Sequence, residues 1–304
     1  MMENVYLAAG EHGSAQPESV PMATSYPRIQ ALLDVATNDA LPLPQAILKG
    51  VDSFPRTLPL AGLGEEATEK HLLVDLVPGF NGPKTSSNYY GFVTGGVLPI
   101  AEFADHLVTA FDQNVQMHLP DQSISTIVED RALSALVELL RLDHTWVGRT
   151  FTTGATAANI LGLACGREVV IQKRLPSGDE GAVGELGLLT ACMRAGIREV
   201  QILTAMGHSS LYKAASVVGL GRASVKDIGS GIEQPWKINV DLLEQELQRK
   251  GVASIVVLSA GEVNTGRFTT GGIAEMEHIR NICDKYKAWL HVDGGKFFLL
   301  LLVL

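Results

Sequence analysis

The sequence predicts an α/β fold, a mainly parallel sheet flanked by helices, and three observations carry that prediction. From residue 146 onward, short apolar runs alternate with longer segments whose apolar residues recur at spacings of three and four. That alternation marks βαβ units. The run IVVL at 255–258 shows no polar alternation, as expected of a strand buried on both faces of a parallel sheet. Turns rich in Gly, Ser and Thr follow the apolar runs (TTGAT, AMGHSS, SAGEVNTG, HVDGG), and open parallel sheets bind ligands beyond the carboxyl ends of their strands.

Residues 1–75 are rich in Pro, Ser and Gly, with short helical patches at 27–36 and 42–51, and read as an N-terminal arm or cap. HLLVDLVPGFNGPKTSSNYYGFVTGG reads as a turn-rich segment whose aromatics either line a site or pin a connector. IAEFADHLVTAFDQ and ISTIVEDRALSALVELLRL have helical periodicity. WVGRTFTTG reads as a strand running into a turn, and ATAANILGLACGRE as a helix of small residues. Then follow strand IREVQILTA, helix SLYKAASVVGLG ending on Gly, and strand ASVKDI. NVDLLEQELQRKG is an amphipathic helix with Asn239 or Asp241 near its start and Gly251 after its end. Strand ASIVVLSAG, helix GGIAEMEHIRNICDKY and strand AWLHVD complete the series. The large domain is assigned to 76–295, and 296–304 is an apolar tail far shorter than the roughly 20 residues of a spanning helix.

Composition narrows the function. Apolar residues make up 46% of the 304, which excludes a disordered chain. A net charge of −9 without a Lys- or Arg-rich run argues against nucleic-acid or anionic-membrane partners. Cys165, Cys192 and Cys283 have neither disulfide nor zinc spacing and read as buried thiols in a reducing compartment. The first residues lack the basic flank and apolar core of a signal peptide, so none is expected.

Three features can carry chemistry. In TTGATAAN, at 152–159, a strand gives way to a helix through a Gly turn. Backbone amides at a helix start, together with the helix dipole, suit a phosphate. Neither a Walker motif nor dinucleotide glycine spacing is present, and an ordinary capped helix start is the alternative. His208, in AMGHSS, sits between a strand and a helix, where it is either structural or functional. Asp293 closes a buried strand, where an acid is costly unless paired. It can face a cationic ring nitrogen or cap the next turn. His291 shares its face of the strand, either as its partner or as a core histidine.

The order of these features resembles the fold-type I pyridoxal-phosphate enzymes. The blocks YYGFVTGGVLPIAEFAD, FTTGATAANILGLACGRE, GHSSLYKAASVVGLG, GEVNTGRF and WLHVDGG resemble the group II amino-acid decarboxylases in order. The resemblance implies pyridoxal 5′-phosphate as cofactor and a PLP-dependent carboxy-lyase acting on an amino acid. It implies that Ala155 and Thr156 hold the phosphate, that His208 stacks on the ring and can act as an acid, and that Asp293 pairs with the ring nitrogen. Phe92 and Thr94 would lie near the substrate. A cytoplasmic homodimer is implied as well. GEVNTG departs from the family pattern at Glu262 and Val263, where many relatives carry threonines, which puts a hydroxyl contact from that turn in doubt.

The family's Schiff-base lysine lies well beyond the ring-pairing aspartate. Only residues 294–304 follow Asp293 here, and Lys296 stands in the wrong block. The chain is therefore expected to be C-terminally truncated, without the small C-terminal domain, and inactive by itself. The tail after Gly295 is expected to derive from a retained intron or a faulty gene model. Another fold-type I enzyme, an aminotransferase or aldolase-type lyase, and a non-catalytic truncated isoform stay open. A nicotinamide oxidoreductase is disfavoured, since no GxGxxG follows a strand.

Overall fold

The computed structural model describes residues 27, 29, 31–33, 39–91, 96–113, 117–177, 183–262 and 264–295. The chain divides into two compact units, Met1–Thr126 and Ile127–Leu304.

The described part of the first unit carries helices and turns. Helix α1 (Pro44–Ser53) opens on a proline, where the missing N–H costs no helical bond. Helix α2 (Glu65–His71) starts with Glu65 and Glu66 against the positive end of its dipole and closes with Lys70 and His71. The segment read as turns continues α2 instead, through a π turn (Leu72–Leu76) and a 3-10 turn (Val77–Gly79). Asp75 holds the extra-wide turn by accepting from His71 Nδ1 at 3.1 Å and pairing with Lys49 at 3.2 Å. Pro78 sits within the 3-10 turn, and the helical path ends at Phe80, whose N–H donates to Val77 O at 3.0 Å while its backbone turns extended. Helix α3 (Pro99–Ala110) also opens on a proline.

The second unit carries most of α4 (Ser125–Leu139), then α5 (Ala155–Gln172), the short α6 (Val183–Leu186) and α7 (Leu188–Arg194). An alternating run follows: β1 (Glu199–Thr204), α8 (Ser209–Val217), β2 (Val225–Asp227), α9 (Val240–Leu247), β3 (Val252–Ser259), α10 (Ile273–Lys285) and β4 (Trp289–Asp293). Among the described residues the four strands are all parallel, in the order β2-β1-β3-β4. Asn239 caps α9, its side chain accepting from Leu242 N at 3.0 Å, and Gly251 takes the left-handed turn (φ 74°) into β3.

Each strand face has its own core. On one side Ile202, Ala253, Ile255 and Val257 pack with Leu163, Val170 and Ile171 of α5 and Leu211 and Ala214 of α8. On the other, Leu203, Val256 and Leu258 pack with Leu243 and Leu247 of α9 and Ile279 and Ile282 of α10. Successive residues of β3 alternate between the two cores, which is why its sequence carries no polar period.

The segment WVGRTFTTG forms no strand. Trp146, Val147 and Phe151 are exposed, and Arg149 instead ties the segment to α4 by donating to Asp130 at 2.7 Å and to Ser134 at 2.8 Å. A short apolar run becomes a strand only where a neighbour completes its ladder, and none of the described strands lies beside this one. The cysteines also depart from expectation: Cys165 is exposed and Cys192 half-buried. Only Cys283 is buried, and its desolvated thiol is pushed up to about 11.

Candidate functional site

Helix α5 and strand β4 match residue for residue. Trp289, His291 and Asp293 alternate onto one face of β4. Opposite them, in reverse order, stand Gly166, Gly162 and Asn159 of α5. A Cβ on Gly166 would meet the Trp289 ring at 2.7 Å, and one on Gly162 would meet His291 Nδ1 at 2.7 Å. Asn159 Nδ2 donates to Asp293 Oδ2 at 3.2 Å. Two strand residues rise about 6.7 Å, and the three or four helix residues between successive partners rise about 4.5–6 Å. The two periods stay close enough over this short stretch for small residues on the helix to admit large ones from the strand. The small residues of α5 therefore fit it against the sheet.

The polar end of this seam reaches two further elements. Asn159 is 4% exposed. Its Oδ1 lies 3.0 Å from His291 Nε2, and its Nδ2 also donates to Ser210 Oγ of α8 at 3.0 Å. Ser210 Oγ in turn lies 2.8 Å from His208 Nδ1. His208 is the N-cap of α8 and accepts from Ser210 N at 3.2 Å. The turn that delivers His208 is tight. Met206 adopts φ 48°, unfavourable for a residue with a Cβ, and Asp227 at the end of β2 holds it by accepting from its N–H at 3.0 Å. A Cβ on Gly207 would press on Thr204 at 2.9 Å. Thus β1 and β4, separated by β3, send His208 and Asp293 into one hydrogen-bonded set through a residue of α5.

Ala155 and Thr156 form the exposed first turn of α5. Its N-cap, Gly154, offers no side-chain cap, and the first helical bond runs from Ala158 N to Gly154 O. The amides before it have no acceptor within the helix. Ala155 and Asn159 are one turn apart on the same face, so the amide-rich end and the polar set adjoin.

Burial lowers the affinity of His291 for a proton, and the nearby Asp293 only partly offsets it. Glu262, 3% exposed in the turn after β3, is different. Its Oε1 accepts from Asn264 N at 2.7 Å and its Oε2 from Thr265 N at 2.9 Å and Thr265 Oγ1 at 3.0 Å. Burial raises its pKa, but these donors outweigh burial and hold it below the usual carboxylate range. The Thr265 hydroxyl is thus engaged within its own turn.

Of the residues singled out from sequence, the structure joins His208, Asp293 and His291, and sets Ala155 and Thr156 one turn from their link. Phe92, Thr94, Val263 and Lys296 lie outside the described residues. Asn159 and Ser210 escaped the sequence reading, although a lone Asn among small apolar residues, three and seven positions before glycines, is a visible signal. Among the described residues no cluster could hold a metal ion, and no helix is long and apolar enough to cross a membrane.

No family model matches the chain. It is 26% identical over 206 residues to L-2,4-diaminobutyrate decarboxylase of Acinetobacter baumannii, an alignment spanning 65% of this chain and 38% of that protein. Its fold matches the glutamate decarboxylase domain of diaminobutyrate-pyruvate transaminase and L-2,4-diaminobutyrate decarboxylase from Vibrio parahaemolyticus, with a TM-score of 0.67 at 19% identity. That match covers 90% of this chain and 56% of the other. Oryza sativa TDC with PLP and tryptamine gives a TM-score of 0.63 at 19% identity, over 88% of this chain and 54% of that one. The chain spans about half or less of the length of these proteins. The chain is thus similar in sequence to an amino-acid decarboxylase, and its fold is that of the solved decarboxylase structures.

Proposed function

We propose that this chain carries the cofactor-binding part of an amino-acid carboxy-lyase that uses pyridoxal 5′-phosphate. The observation that supports this best is the hydrogen-bonded set joining His208 to Asp293 beside the uncapped start of α5. The residues present fit the group. Exposed amides at Ala155 and Thr156 suit its phosphate. Among the described residues Asn159 is the donor to the Asp293 carboxylate, and it uses Oδ2, which leaves Oδ1 to meet a cationic ring nitrogen. The exposed His208 ring can stack on a flat heterocycle and offer a proton. Bound there, pyridoxal phosphate supplies a protonated ring that accepts the electron pair released when carbon dioxide leaves an amino acid.

In this reading Asp293 holds the ring nitrogen protonated, the α5 amides anchor the phosphate, and His208 covers one face of the ring. Phe92 and Thr94 are assigned to the substrate. The active unit is a cytoplasmic homodimer, and turnover requires the tethering lysine, which the resemblance places beyond residue 304. The 304 residues alone therefore bind without turning over.

Pyridoxine 5′-phosphate tests the binding part cleanly. It has the ring nitrogen and phosphate but no aldehyde, so it cannot react with surface lysines. Saturable binding to the 304-residue chain, lost in Asp293→Ala, is the expected result. No binding, or binding indifferent to Asp293, would overturn the reading. Carbon dioxide release from any amino acid by these 304 residues alone would overturn the requirement for a lysine beyond them.

A further inference from the structure

We propose that Asn159 and Ser210 are positioning residues that set where the site's protons lie. Asn159 holds Asp293 and His291 and passes a donor to Ser210, which places the His208 proton on Nε2. This rests on the reading of His208 and Asp293 as cofactor-binding groups.

The argument follows donors and acceptors. A carboxylate only accepts, so the Asn159 atom facing Asp293 Oδ2 at 3.2 Å is the amide nitrogen. Its second hydrogen goes to Ser210 Oγ at 3.0 Å. The amide oxygen is then turned to His291 Nε2 at 3.0 Å, and that nitrogen must carry a proton. Ser210 Oγ has accepted from Asn159, so its own hydrogen is free to point at His208 Nδ1, 2.8 Å away. The Ser210 backbone N–H, which can only donate, is aimed at the same Nδ1 at 3.2 Å. Two donors on one ring nitrogen require a lone pair there. His208 is therefore neutral with its proton on Nε2, the nitrogen opposite the one Ser210 grips.

Burial makes this arrangement hard to escape. Asn159 and Ser210 are 4% and 2% exposed, so water cannot readily replace a missing partner. Asp293 is thus the anchor of the whole set: its charge orients the Asn159 amide, and that orientation propagates to both histidines. Asn159 also lies on the helix whose first turn is assigned to the phosphate. One side chain therefore coordinates the ring-nitrogen end and the ring-covering histidine with the phosphate end.

The test is long-range ¹H–¹⁵N NMR of the imidazoles of the 304-residue chain, read alongside pyridoxine 5′-phosphate affinity. The wild type should show His208 and His291 as Nε2–H forms. Asn159→Ala should shift both rings toward mixed tautomers and weaken affinity about tenfold. Ser210→Ala should shift His208 alone and weaken affinity about threefold, and Ser210→Thr should restore both readouts. Ser210→Ala removes one atom, so it carries the test if Asn159→Ala does not fold. An Nδ1–H form of His208 in the wild type, or a Ser210→Ala spectrum with the His208 signals unchanged, would overturn the proposal. If the wild type shows the Nε2–H forms and the variants shift them but pyridoxine 5′-phosphate never binds, the proton relay stands and the cofactor reading falls. If the ligand binds but the imidazole signals ignore both substitutions, the relay falls and the cofactor reading stands.

Discussion

Glu262 and Asp293 stand at the ends of neighbouring strands, Glu262 buried and Asp293 partly so, and their carboxylates find donors in opposite ways. Glu262 is satisfied by its own turn: Asn264 and Thr265, two and three residues on, supply backbone and side-chain donors. Asp293 takes its donor from Asn159, 134 residues away in sequence. The first acid is a local plug that shapes one turn. The second is held from a distance by a residue that also holds Ser210 and His291, and it keeps an oxygen in reserve. The saturated carboxylate fits a structural role, and the oxygen left open on Asp293 is the one the proposed function uses.

Substitution should separate the two acids. Asp293→Asn should have the largest effect on binding. A hydrogen bond to a charged group contributes about 1.5–3 kcal/mol, so pyridoxine 5′-phosphate affinity should drop tenfold or more while chemical denaturation changes little. Glu262→Gln should do the reverse. Its new amide would oppose the donors of Asn264 and Thr265, costing about 1–3 kcal/mol of stability with affinity unchanged. Equal effects of the two substitutions on affinity would erase the distinction. Gly162→Ala falls between them. The added methyl would press on the His291 ring, costing about 1–3 kcal/mol as an overpacked site. It should also disturb the His291 imidazole signals, which Glu262→Gln should leave alone.

The same contrast explains what the sequence disclosed. The alternation of elements around β1, β2, β3 and β4 was legible because periodicity and burial on both faces are local patterns. The turns holding His208 and Asp293 were legible because they follow strands. The Glu262 turn stood out as a departure, and its donors lie within three residues. Asn159 and Ser210 were missed: the glycines three and seven residues after Asn159 signal a close helix contact, but no local pattern names the partners, which come from elements distant in sequence. WVGRTFTTG misled for a related reason: its apolar run satisfied the strand pattern, but a strand also needs a neighbour. The helical path through Leu72–Leu76 was hidden by the Pro and Gly that follow it.

The smallest expected effect is a pH signature that distinguishes the two regions in solution. Burial depresses the His291 pKa, so in acid the unfolded chain binds a proton that the folded chain resists. Stability linked to His291 is whole above the unfolded histidine value of about 6.5 and drains away as pH falls toward the lower folded value. Glu262 is also depressed, but its window opens only below the unfolded glutamate value of about 4.3. Denaturant melts of wild type and His291→Gln between pH 7 and 5 should therefore diverge in slope. Glutamine can still donate to Asn159 Oδ1 but does not titrate, so its melts should lose less stability on acidification. Glu262→Gln, less stable throughout, should keep the wild-type pH slope over that range and depart from it only in stronger acid. If His291→Gln instead loses stability as steeply as wild type between pH 7 and 5, His291 does not resist protonation in the fold, and its assignment as a neutral Nε2–H form is wrong.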